Sequence, residues 1–275
     1  MRKLLLLCLA LAIGSMAFAQ TKIQLRSTDR AQCVKSDMTS LKASFSFSSF
    51  EAKNQDTKGG SFSSLSLPNT IIGGNEGDPQ IPVINQLIAV PFGATPKITV
   101  TSYNSTDYQL SDLGINTLIP RQPSLRKDQK PEEVPFVYNE QAYQTRGMRT
   151  EPKAFVEVMG TMRGVQLGKM TIEPVSYDPV NNTLRVFNDL EVEVTFDGAD
   201  AKATEQMLVD TYSPYFDIVY KQLFNGNNRD NSKYRVYYGK DYIEVFPGKR
   251  LSKAMTACAI FKAYLACRPQ TTLEH

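Results

Sequence analysis

Thiol chemistry is the first possibility that the residues raise, because the 275-residue chain carries four cysteines. A nucleophilic cysteine needs an adjacent base to take its proton. The single histidine is His275, at the very end of the chain. Cys258 and Cys267 fall in the apolar stretch 251–267, where cysteine behaves as a small core residue. With Cys33 they make an odd number after residue 19, and none has CxxC spacing. We therefore expect no catalytic residue in this chain, no metal site and no cofactor. Two basic clusters remain. Arg126-Lys127-Asp128-Gln129-Lys130 is bracketed by Pro120, Pro123, Pro131 and Pro135. Proline gives no amide hydrogen to a ladder, so this run belongs to a loop rather than a central strand. Arg229-Asp230 closes the polar run Asn225-Gly226-Asn227-Asn228, a composition that favours the exposed, unstructured segment proteases need. On residue types alone, both clusters are solvated surface charges.

The elements that must position these residues follow from the rest of the sequence. Arg2 and Lys3, the apolar run 4–13 and Ala17-Phe18-Ala19 make a secretory signal with cleavage between Ala19 and Gln20. The apolar run is too short to span a bilayer, which takes about 20 residues, and no later stretch is long and apolar enough. The expected location is secreted, extracellular or at the cell surface by way of the periplasm. Lys+Arg 31 against Asp+Glu 28 gives a formal charge of +3. Removal of Arg2 and Lys3 leaves 29 basic against 28 acidic residues, a net of +1. So small an excess, without a concentrated basic patch, argues against nucleic acid as a partner.

Hydrophobic periodicity then sets the fold class. Residues 20–40 are polar and mixed, and read as a loosely held lead-in. Ala43, Phe45 and Phe47 alternate with Ser44, Ser46 and Ser48, the period-2 pattern of a half-buried strand. Further strands are predicted over 61–67, 87–90, 98–100, 154–159, 164–172, 183–187 and 191–196. Gly59-Gly60 marks a turn, as does Asp178-Pro179 with Asn181-Asn182. Many short strands at about ten-residue spacing, with no helices between them, indicate an antiparallel sandwich or barrel. One helix is predicted after the strands. Ser213 can cap it, Pro214 suits its first turn, and Phe216, Val219, Tyr220, Leu223 and Phe224 make one apolar stripe. The polar run from Asn225 to Asp230 is the best domain boundary.

Several separated segments carry a resemblance. They are Lys58-Gly59-Gly60-Ser61-Phe62, Leu87-Ile88-Ala89-Val90-Pro91 with Gly93-Ala94-Thr95-Pro96, and Val134-Pro135-Phe136-Val137-Tyr138-Asn139. Met159-Gly160-Thr161-Met162-Arg163-Gly164-Val165, Ser213-Pro214-Tyr215-Phe216 and Tyr220-Lys221-Gln222-Leu223-Phe224-Asn225 belong with them. In these the chain resembles the N-terminal pro-region of the gingipains, the secreted cysteine endopeptidases of peptidase family C25, and most nearly their lysine-specific branch. The resemblance runs from the signal to about Asp230. It implies an antiparallel β-sandwich, jelly-roll-like, with one short C-terminal amphipathic helix. It also implies a domain over 20–229 that keeps a protease latent and assists its folding. The implied partner is a cognate lysine-specific gingipain-like catalytic domain. A basic loop residue would enter that partner's S1 pocket, and the position that matches is Lys127, with Arg126 as its rival. Release would follow cleavage at Arg229-Asp230.

Residues 233–242 resemble the opening strand of the family's catalytic domain, and beyond Val245 the resemblance fades. Residues 230–275 are therefore expected to be a truncated start of that domain or an aberrant tail. With no catalytic His/Cys pair, the chain is expected to be inactive by itself. A different class, a cell-surface β-sandwich used for binding or adhesion, is compatible with the same strand pattern, since fold does not give function.

Overall fold

The computed structural model describes residues 20–130, 133–211, 214–226, 234–238 and 241–245. The expected signal with Ala19, the cap Ser213, the junction Arg229-Asp230, and Cys258, Cys267 and His275 lie outside the described residues. In chain order the strands are β1 (Gln20–Gln24), β2 (Arg30–Ser36), β3 (Ser40–Ser46), β4 (Ser49–Thr57), β5 (Gly60–Ser66), β6 (Ile71–Gly73) and β7 (Ile81–Val90). There follow β8 (Thr95–Gln109), β9 (Lys153–Met162), β10 (Val165–Glu173), β11 (Val175–Asp178) and β12 (Thr183–Asp197). The last two are β13 (Tyr234–Tyr238) and β14 (Asp241–Val245). Helices are α1 (Glu140–Gln144), α2 (Ala201–Asp210) and α3 (Pro214–Lys221).

The protein is mainly antiparallel β, as the alternating pattern predicts. One sheet runs β1-β4-β5 and a second β6-β7-β10-β9. The third is built around β12. One edge of β12 pairs with β8 from Thr183↔Gln109 to Asp197↔Thr95. Its other edge is shared by β11 and β3, and β2 lies beyond β3. β13 and β14 form a two-stranded sheet of their own, in the stretch expected to open a catalytic domain.

Alternation places the core. On β7, Ile84, Ile88 and Val90 point into the main hydrophobic cluster with Phe45, Phe50, Met170, Leu184 and Phe187. Ala89 points the other way and packs with Val165, Tyr220 and Leu223, against Leu208 of α2 and Phe216 of α3. Full burial of a large apolar side chain contributes ~1.5–3 kcal/mol. The larger cluster thus dominates stability, and the helices form an accessory layer.

Four sequence expectations are corrected. Residues 20–40 are not a loose lead-in, because β1 pairs with β4 and β2 with β3. Their side chains are polar because both are edge strands, with only Ile23, Leu25 and Cys33 partly buried against the core. The predicted strands over 183–187 and 191–196 are one strand, interrupted at Asn188. There the buried Asn188 carboxamide accepts from the Phe47 amide at 2.8 Å and donates to the Phe47 carbonyl at 3.0 Å. A side chain stands in for a strand partner. The predicted helix ends at Lys221, so Leu223 and Phe224 lie beyond it, and Val219 is 37% exposed. The chain is drawn off because the Phe224 amide donates to the Leu87 carbonyl at 2.8 Å. Finally, Asn225 is buried rather than linker. Its carboxamide accepts from the Ala89 amide at 2.8 Å and donates to the Ala89 carbonyl at 3.0 Å.

The sequence also left α1 and α2 unpredicted. Asn139 caps α1, accepting from the Ala142 amide, and Asp200 caps α2, accepting from the Ala203 amide at 2.8 Å. Both are ordinary capping residues, satisfying an amide that the first helical turn leaves open.

Candidate functional site

The proline-bracketed basic loop is held from below by an enclosed segment of chain. Leu118 is fully buried, and two phenols grip its main chain. Its amide donates to Tyr177 Oη at 3.2 Å, and its carbonyl accepts from Tyr143 Oη at 2.7 Å. Burial pushes the Tyr177 phenol up to about 12 and Tyr143 higher still. Both rings therefore stay neutral and keep a hydroxyl proton to donate. Tyr177 uses its own on Asn182 Oδ1, at 2.7 Å.

The chain then passes through Arg121, which is paired on both sides of its backbone. The Arg121 amide donates to the Asp78 carbonyl, and the Gly77 amide donates to the Arg121 carbonyl, each at 2.8 Å. The Arg121 guanidinium reaches the Gly74 carbonyl. On the return path, the Asn139 amide donates to the Gly77 carbonyl at 3.0 Å and Asn139 Nδ2 to Asp78 Oδ1 at 2.7 Å. Residues 77–78 are thus pinched between the outgoing and returning limbs. Gly77 has φ +86°, and a Cβ there would lie 3.1 Å from the Asn139 amide nitrogen, so glycine is required.

A third carboxamide closes the loop. Gln122 Oε1 accepts from the Val137 amide at 3.0 Å, and Gln122 Nε2 donates to the Val137 carbonyl at 2.9 Å. Aromatic packing braces the returning limb. Phe136 stacks on Phe62 with centroids 5.9 Å apart, and Tyr138 stacks on Tyr143 at 4.5 Å. Phe136 also lies over Gly59, whose added Cβ would sit 2.2 Å from the ring. The β4–β5 turn and the loop thereby make one rigid base.

Above this base, residues 124–128 are exposed. Arg126 and Gln129 form a turn in which the Gln129 amide donates to the Arg126 carbonyl at 3.1 Å. The Arg126 amide donates back to Gln129 Oε1 at 3.1 Å. Lys127 and Asp128 are the two central residues. The cations differ in their surroundings. Arg126 pairs with Asp128 at 3.7 Å and Lys130 with Glu133 at 3.7 Å. Among the described residues, Lys127 carries no ion pair. The arrangement presents one lysine ammonium at the corner of a turn on a fixed base. Chemically it can be bound by an acidic or carbonyl-lined pocket.

Residues 24–225 match the family model described as Propeptide_C25. The chain belongs to this propeptide family. Lys-gingipain of Porphyromonas gingivalis is 46% identical over 227 residues, which are 82% of this chain but 13% of that protein. Gingipain R2 of the same organism is 22% identical over 218 residues, 77% of this chain and 28% of gingipain R2. The chain thus spans a small part of the relatives it matches. A solved structure from work on the zymogenic latency of gingipain K from P. gingivalis superposes with TM-score 0.61 at 43% identity, covering 66% of this chain and all (100%) of the other. The complex of P. gingivalis RgpB pro- and mature domains gives TM-score 0.58 at 16% identity, with 73% and 100% covered, a likeness of fold. The family match ends at Asn225, the residue whose carboxamide closes the edge of β7.

Of the residues singled out in the sequence, Arg126 and Lys127 are adjacent on the exposed turn, and Gln20 opens β1, its side chain on Glu51 at 2.9 Å. Ala19, Arg229 and Asp230 lie outside the described residues. The contacts by which Asp78, Gln122, Gln129 and Tyr143 shape the propeptide loop went unread. The returning limb was marked in the sequence by Val134-Pro135-Phe136-Val137-Tyr138-Asn139, and Asn139, three residues before the helical Ala142 it caps, adds a capping signal.

Proposed function

We propose that this chain is the exported propeptide of a lysine-cleaving C25 peptidase, and that it keeps the peptidase latent by placing Lys127 in its S1 pocket. On this reading the signal 1–19 is removed between Ala19 and Gln20, and residues 20–229 act as inhibitor and folding aid. Cleavage after Arg229, before Asp230, frees the enzyme, whose domain opens at about residue 230. The observation that carries the reading is the state of Lys127, exposed at the corner of a turn and unpaired among the described residues, while Arg126 and Lys130 have acidic neighbours. A pocket that accepts lysine must desolvate an ammonium, and that cost is offset only by hydrogen bonds and opposite charge. A lysine that no described carboxylate holds in an ion pair enters with less to break. The fixed base lowers the entropy lost on docking. Family membership and the likeness to a gingipain K structure tied to zymogenic latency support the propeptide role.

Titration of a lysine-cleaving C25 peptidase with the purified chain, assayed on a lysyl substrate, tests the reading. Inhibition is expected, and the Lys127→Ala variant should inhibit markedly less. Equal inhibition by parent and Lys127→Ala would remove the pocket-filling role.

A further inference from the structure

An exposed lysine offered to a lysine-cleaving enzyme invites its own cleavage, and the turn around Lys127 bears directly on that problem. Peptidases take substrates extended, with main-chain groups near the scissile bond paired in the manner of an added strand. Here both main-chain groups of Arg126 are already engaged, its carbonyl by the Gln129 amide and its amide by Gln129 Oε1, each at 3.1 Å. The Lys127–Asp128 peptide unit is consequently the centre of a closed four-residue turn. Asp128, on the far side of that bond, is paired back to Arg126 at 3.7 Å. Extending the segment for hydrolysis requires both Arg126–Gln129 hydrogen bonds to open together.

We infer that Gln129 is a positioning residue that makes the bond after Lys127 a poor substrate, so that the loop inhibits instead of being consumed. This inference rests on the proposed role of Lys127 for its meaning, although the turn's resistance can be measured without it. Gln129 differs from the other turn residues in contributing both a main-chain and a side-chain contact to the same neighbour. Its side chain is the part a substitution can remove alone.

The test is limited digestion of the full chain with trypsin, following cleavage at Lys127–Asp128 by mass spectrometry. Gln129→Ala keeps the main-chain bond and loses the side-chain acceptor. Cleavage at this bond should accelerate about fivefold, the factor expected from losing one hydrogen bond of ordinary net strength. Gln129→Glu retains an acceptor oxygen and should be cut at the parental rate. The thermal midpoint should be the same in all three, which separates local opening from unfolding. With a lysine-cleaving C25 peptidase, the Gln129→Ala chain should inhibit at first and then lose inhibition as the loop is cut, while the parent stays intact. Trypsin cutting Gln129→Ala no faster than the parent would overturn the inference. Failure of the pocket reading has a different signature, namely Lys127→Ala inhibiting as well as the parent, and it leaves the trypsin comparison standing.

Discussion

Lys127 and Arg126 are neighbours of like charge, yet their surroundings predict unequal effects. Removing one partner of a desolvated, hydrogen-bonded charge pair costs ~2–5 kcal/mol. Lys127→Ala should therefore raise the inhibition constant at least about tenfold, measured by titration against a lysine-cleaving C25 peptidase. Among the described residues the Arg126 side chain pairs with Asp128, and both side chains are exposed. Exposed pairs of this kind are worth ~0–1 kcal/mol, so Arg126→Ala should shift the constant by less than about fivefold. Lys127→Arg should also inhibit poorly, since a planar guanidinium is wider than an ammonium and aims its donors differently. An inversion of the first two effects would move the pocket residue by one position. Beneath the turn, Gln122 bonds both main-chain groups of Val137. Gln122→Ala leaves that amide and carbonyl short of partners, and should destabilise the chain by about 1–3 kcal/mol in denaturant melts. Trypsin cleavage within the loop should rise in parallel.

Among the elements, those with strong alternation were readable, and those stabilised by a single side chain were not. β3 and β10 carry buried apolar residues at alternate positions, and their sequences announce them, whereas only 87–90 of β7 was predicted, because Val83-Ile84 and Ile88-Ala89-Val90 are buried on both faces. β1 and β2 are edge strands with little to bury, so composition alone described them as loose. The helical stripe continued past Lys221 because periodicity registers Leu223 and Phe224 as helix, whereas an edge of β7 captures them instead. The loop was legible through its prolines and charges. Its clamp was not, because a glutamine that imitates backbone has no periodic or compositional mark. The same device interrupts β12 at Asn188, where it can be tested away from the loop. Asn188→Ala would strand the Phe47 amide and carbonyl in a buried setting. A loss of about 1–3 kcal/mol for each group is expected, read as a lowered denaturant midpoint with an unchanged slope.

For the whole molecule, carboxylates set the response to acid. Burial alone would disfavour the charged form of Asp178, but hydrogen bonds from the Gly147 and Asn181 amides, Asn181 Nδ2 and the Val180 amide outweigh it and hold the carboxyl below its ordinary range. Asp37 is lowered as well, through Thr39, Lys35 and the amide of Ser40. A carboxyl depressed in the folded state stabilises it above the unfolded value, about 3.9 for aspartate, and this is lost as pH falls through the lower folded value. Stability should thus be level near neutrality and decline below about pH 4. Asp178→Asn should be less stable than the parent at pH 7 by about 1–3 kcal/mol. That gap should narrow below about pH 4, where the unfolded parent takes up a proton that the folded carboxyl resists; denaturant melts at pH 7 and pH 3 would measure it. A gap that stays constant over this range would assign the effect to packing.

The buried carboxamide of Asn225 has a consequence for the protein in concentrated solution. Its bonds to Ala89, with that from Phe224 to Leu87, cover the end of β7 in line with the pairing that β6 supplies at its start. An uncovered strand edge is a template on which another chain can add. Asn225→Ala would leave the amide and carbonyl of Ala89 facing outward, next to the exposed side chain of Leu87. The expected result is self-association that grows with concentration, seen by light scattering well below the melting temperature. The parent should stay monodisperse under the same conditions, and equal scattering from both would show that this edge needs no guard.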